Sequence, residues 1–187
     1  TGCEDSMNQR VSAEYFLRHG FPVARLNLRG AGPSERYCRK RYHSGHWRDL
    51  AAAIRHLDAE PGAPTDQGIV AMGVSLGGTI LLNHLIASGE NHGLRAAVTV
   101  STPLDLSESS GNFLKPSNRV YNGYLLERMK DFTRTAAPGR DWQEVIDKCR
   151  SVREFDDRIV APWNGFDGAE DYYRRCSPAR ALGDIRC

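Results

Sequence analysis

The sequence predicts an α/β protein: a parallel sheet with flanking helices, followed by a helical insert. Three observations carry this. Short apolar runs alternate with amphipathic segments over the first hundred residues. One of those runs ends in a glycine-flanked serine at a strand-to-helix junction, and the later chain reads as helices with no clear strand among them. Apolar strands alternating with helices imply right-handed crossovers and a sheet covered on both faces.

The elements follow in order. "TGCEDSMNQRVSAEYFLRHGF" opens in a loop and enters a helix ending at His19-Gly20, with Gly20 as its cap. "PVARLNL" (22–28) is expected to be the first strand, and "RGAGPS" breaks it. Ser44 or Gly45 can start the next helix, with Trp47, Leu50, Ile54 and Leu57 on one face, and Pro61, Gly62 and Pro64 end it. "GIVAMGV" (68–74) is the second strand, "LGGTILLNHLIASG" a helix, and "LRAAVTVS" (94–101) the third strand. From Pro103 to about Cys176 the insert carries Val120, Tyr121, Tyr124, Leu125 and Phe132 at helical spacing, then "DWQEVIDKC" and "DGAEDYYRRC" as further short helices.

Bulk composition narrows the function. The 187 residues, 40% hydrophobic and 26% charged, suit a globular domain. A net charge of +2 makes no case for nucleic acid or a membrane surface. Five scattered cysteines without a C-x-x-C form neither a disulfide framework nor a zinc pattern and suit a reducing cytosol. No apolar stretch approaches the ~20 residues of a membrane span. In "ERYCRKRYH" (35–43) a solvated loop is favoured over an anion patch. His43 and His46 could share a helix face as metal ligands do, but without a third ligand nearby a structural role is favoured, and no metal is expected.

Ser75 is the candidate nucleophile. "IVAMGV" delivers the chain as a strand and "LGGTILLNHLI" leaves as a helix, the setting in which G-x-S-x-G has meaning. Side chains at Gly73 and Gly77 are expected to collide with neighbouring backbone. The helix N-terminus favours developing negative charge, and the Leu76 backbone N–H would be one oxyanion donor. A serine also needs a base and a group to orient it, in the chain order Ser, acid, His. The histidines lie at 19, 43, 46, 56, 84 and 92, and His84 and His92 belong to segments that lead away from the serine. The base is therefore expected outside these residues.

The chain resembles the YheT-like branch of the α/β-hydrolase superfamily, a group of predicted esterases. The resemblance rests on "LRGAG", "YHSGHWRDL" (42–50), "GVSLGG", "STP", "RVYNGYLLERMK", "REFDDRIVAPWNGF" (153–166) and "DYYRRCS" (171–177). It implies a partial α/β-hydrolase fold and a serine hydrolase acting on carboxylic esters through Ser75, with no cofactor. It further implies a core over 1–102, a helical cap over 103–176, and a return toward the core over 177–187. Thr1-Gly2 would end an H-G-L-x-G-type loop, and the triad acid and histidine would lie beyond Cys187. The strand leading into that loop would separate 22–28 from 68–74, so those two runs are not expected to pair.

Other residues have their own readings. Asp156 and Asp157 are expected to serve as a salt bridge or helix cap rather than as an acid/base pair. Asp105, after the third strand, is a minor candidate for the triad acid. Arg29 is expected to fix a loop through a salt bridge, and His43 and Asp49 to pin a helix start. Tyr121, Tyr124, Phe155, Trp163 and Phe166 would suit an apolar acyl group, giving a small ester or lipid-like substrate. The rival reading is a non-catalytic protein that keeps the fold to bind a ligand or partner.

Overall fold

A computed structural model describes residues 2–136 and 140–186. Helix α1 spans Met7–Arg18. It closes as expected on Gly20, whose φ of 81° is in the left-handed region, with the N–H of Phe21 reaching back to the carbonyl of Phe16. Helix α2 (Trp47–Ala59) starts later than the sequence suggested. The Ser44 hydroxyl, the obvious cap, is spent instead on the Tyr172 hydroxyl at 2.6 Å.

Strands β1 (Val70–Val74) and β2 (Ala96–Val100) form a parallel pair in register Val70 with Ala96 through Val74 with Val100, joined by helix α3 (Leu76–Ser88). One face of this pair, through Ile69, Ala71 and Ala97, packs on Ile54 of α2 and on Leu81 and Leu85 of α3. Residues 22–28 are not a strand, which corrects the sequence reading. A strand is stabilised by its ladder, and no described segment pairs with this one. Val23 and Leu26 stay exposed, and the segment is tied down by single bonds such as Glu4 N–H to Asn27 Oδ1 at 3.0 Å. As it is not a strand, it makes no ladder with 68–74.

After β2 the described chain is helical: α4 (Leu106–Phe113), α5 (Arg119–Arg134), α6 (Arg140–Lys148), α7 (Val152–Phe155), α8 (Ala161–Asn164) and α9 (Gly168–Cys176). A π-helical turn, Asp156–Val160, links α7 to α8. Phe155, Ile159, Leu126, Ile146 and Cys149 make the core of this half. A second cluster, of Leu106, Ala161, Ala169, Tyr172, Tyr173 and Cys176, faces α3 through Leu76.

Candidate active site

Ser75 sits where β1 turns into α3, with φ 53° and ψ −127°. Few non-glycine residues adopt such a backbone, and it costs on the order of 1–3 kcal/mol. The surroundings hold it there. Its N–H donates to the Val100 carbonyl at 2.9 Å, continuing the ladder past the strand ends, and its own carbonyl accepts from the Gly78 N–H at 2.9 Å. The side chain is exposed. The turn needs Gly73, because a Cβ there would stand 2.7 Å from the Gly78 Cα. Gly77, by contrast, has open space around a Cβ, so the expected collision lies one residue later: Gly78 packs against the Thr102 side chain. Leu76 is the first residue of α3, where a backbone N–H has no partner within the helix, and its side chain packs against the α9 cluster.

The six histidines all have structural accounts, and none hydrogen-bonds the Ser75 hydroxyl. His84 donates from Nε2 to the His92 carbonyl at 2.8 Å and accepts at Nδ1 from Ser88 Oγ at 3.1 Å. His92 accepts at Nδ1 from the Leu94 N–H and donates from Nε2 to the Arg186 carbonyl. Both rings thus use both nitrogens in hydrogen bonds, and burial pushes the His84 imidazole below its usual range. His43 accepts at Nδ1 from the Gly45 N–H, and its backbone N–H donates to His46 Nδ1 at 3.2 Å. Burial pushes His43 down to about 3, with His46 adding to the effect, so this ring is neutral at physiological pH. His19 and His56 lie on exposed helix surfaces beside Tyr15 and Glu60. Among the described residues no group of three His, Cys, Asp or Glu side chains could hold a metal.

The remaining candidates resolve into supports. Arg29 and Asp49 form a two-pronged ion pair, Nε to Oδ2 at 2.8 Å and Nη2 to Oδ1 at 2.5 Å, which fixes the loop to α2 as expected. The Arg29 hydrogen bonds hold the Asp49 carboxyl below its usual range. Asp105 caps α4 by accepting the Glu108 N–H at 3.0 Å. Asp157 accepts the Ala169 N–H at 2.8 Å and so caps α9. Asp156 does neither: it is buried, accepts the Tyr173 hydroxyl at 2.8 Å, and is pushed up to about 7 by burial. Arg41, in the basic run read as a solvated loop, is buried and donates to the carbonyls of Phe132 and Gly30 and to Glu35. Tyr121 and Tyr124 are exposed, and Phe155 and Trp163 belong to the core of the helical half. Of the aromatics proposed to face substrate, Phe166 packs in the cluster that contacts Leu76.

Sequence reasoning missed one residue. Asn83, two turns after Ser75 on α3, donates both amide hydrogens, to the Ser44 carbonyl at 3.0 Å and the Cys176 carbonyl at 2.9 Å. It ties the serine's helix to the end of α9 and to the loop before α2.

These features can be set beside known proteins. A family model described as "Serine aminopeptidase, S33" (Hydrolase_4) matches residues 2–159. The chain belongs to this α/β-hydrolase family. It is 34% identical to the protein described as "Putative esterase YheT" of Escherichia coli (strain K12), over 98% of this chain and 56% of that protein. It is 31% identical to the phospholipase ABHD3 of Mus musculus, over 94% of this chain and 45% of that one. With the monoacylglycerol lipase of Saccharomyces cerevisiae it shares 28% identity, over 99% and 43% respectively. The chain therefore spans about half the length of the curated relatives it matches. No solved structure matches it.

Proposed function

We propose that this chain carries the nucleophile of a serine hydrolase acting on carboxylic esters, with short or medium acyl esters or acylglycerol-like lipids as substrates. The observation that carries the reading is the strained, exposed Ser75 at the head of α3 in a chain of this family. The names of the relatives, esterase, phospholipase and monoacylglycerol lipase, favour esters over the other acyl groups such a centre can cleave.

In the proposed reaction the Ser75 oxygen bonds to the ester carbonyl carbon as a base takes the hydroxyl proton. The carbonyl electron pair moves onto oxygen, which the Leu76 N–H stabilises; such a donor is worth about 3–4 kcal/mol. When the pair returns, the alkoxide leaves with the proton from the base, and the acyl group stays on Ser75. Water, deprotonated by the same base, then releases the acid. The base and its orienting carboxylate come from sequence outside residues 1–187 in this reading, because the histidines within it are otherwise engaged. Neither a cofactor nor a metal is required.

That same engagement favours the second reading, a ligand- or partner-binding protein on the hydrolase fold. Hydrolysis of p-nitrophenyl esters by the complete protein separates the two. Activity that Ser75→Ala abolishes supports the hydrolase, and a folded complete protein with no activity on any acyl length supports the binder.

A further inference from the structure

The first half of α5 presents an apolar surface that its own fold leaves uncovered. Val120 is 88% exposed and Tyr124 64%, one helical turn apart. Tyr121, packed against Phe113 with ring centroids 5.6 Å apart, joins them to Leu114 in the turn before the helix. Beside Leu114 lies a cavity of about 310 Å³ to which Arg119 and Arg150 both contribute.

The charges around this patch that lack an ion-pair partner among the described residues are basic. Lys115, Arg119 and Arg150 are exposed, and none forms an ion pair with a described residue. Two acids on adjoining turns are already paired. Glu127, further along the exposed stripe of α5, pairs with Lys130 at 3.2 Å. The Glu154 carboxylate accepts the Arg150 backbone N–H and pairs with Arg158 at 3.0 Å. The chain's net charge of +2 conceals this local excess.

We propose that this face of the helical half docks on an anionic lipid surface. Tyrosines suit the boundary between headgroup and acyl chain, since each has an apolar ring and a polar tip. Val120 and Leu114 would enter the acyl boundary, as the apolar face of an interfacial helix does. Lys115, Arg119 and Arg150 would meet headgroup phosphates, and the cavity that both arginines help to line is large enough to take one. Among the described residues no helix is long and apolar enough to cross a membrane, and this contact needs none. It is reversible, salt-sensitive and independent of any chemistry at Ser75.

Sedimentation of the complete protein, carrying Ser75→Ala so that no lipid is consumed, with two vesicle types tests this. The expected result is binding to vesicles of phosphatidylcholine mixed with phosphatidylglycerol, little binding to phosphatidylcholine alone, and loss of binding at high salt. Arg119→Gln should weaken binding roughly fivefold, the effect of one cation near a charged bilayer. Val120→Ser with Tyr124→Ser should weaken it about tenfold while leaving the thermal melt unchanged, as expected for exposed side chains. No binding to the mixed vesicles would overturn the proposal, as would binding that these variants leave intact. So would a vesicle-independent dimer that Val120→Ser with Tyr124→Ser abolishes, which would assign the patch to a second copy of the chain.

Discussion

A Cβ on Gly78 would run into the Thr102 side chain, whereas one on Gly77 would meet nothing within 4 Å. In the complete protein Gly78→Ala should therefore cost about 1–3 kcal/mol by overpacking. Gly77→Ala should be neutral or stabilising by up to about 1 kcal/mol, because alanine is the better helix former. Denaturant melts of the two variants check the pair, and equal effects would contradict the packing described for the elbow. The second residue-scale prediction concerns Asp156. Its carboxyl is pushed up to about 7 in the fold, above an unfolded value of about 3.9, so the native state binds the proton more tightly. Stability from this group is full below about pH 4, falls as pH rises toward 7, and is flat above; the whole span is on the order of 4 kcal/mol. The Tyr173 hydroxyl, which donates to Asp156, itself stays protonated, since burial raises it well above the usual tyrosine range. Asp156→Asn should remove this slope, so its advantage in Tm over the native protein should grow from pH 5 to pH 8.

At the scale of elements, the described residues cover the β1–β2 pair on one face only. Val70, Met72, Val98 and Val100 look outward, at 63%, 39%, 51% and 44% exposure. Parallel sheets are otherwise buried on both faces, and an open apolar face beside unpaired strand edges invites association. The 187-residue chain expressed alone should therefore bind the dye ANS strongly and melt without a sharp transition, or not remain soluble. A cooperative melt without dye binding would contradict this. The same element shows why sequence reading succeeded and failed where it did. Strands β1 and β2 lie within the runs 68–74 and 94–101 because each is a dense apolar segment bounded by turns. The run 22–28 has the same apolar look and forms no strand, because pairing is a relation between two segments and a single segment does not reveal it. The start of α2 at Trp47, rather than just after Ser44, has a similar cause. The hydroxyl that would cap it is claimed by Tyr172, 128 positions away.

On the scale of the whole molecule, the elbow was legible and its surroundings were not. Ser75 could be found from a dozen residues, because the strand–turn–helix geometry depends on neighbours in sequence. Asn83 was invisible in the same stretch, since its role is set by the Ser44 and Cys176 carbonyls, 39 and 93 positions away. The aromatics proposed to line an acyl site divided into core, surface and one residue near Leu76, a division that helical spacing alone does not carry. What unites the molecule is the path from β1 through Ser75 and α3 to α9, along which Leu76 and Asn83 bind the helical half to the serine. The central claim is that Ser75 on this path is the nucleophile. Treating the complete protein with a fluorophosphonate probe and locating the adduct by mass spectrometry tests it most directly. The account predicts one adduct, on the Ser75 hydroxyl, that disappears together with ester hydrolysis in Ser75→Ala; an adduct on another residue, or esterase activity that survives Ser75→Ala, would contradict it.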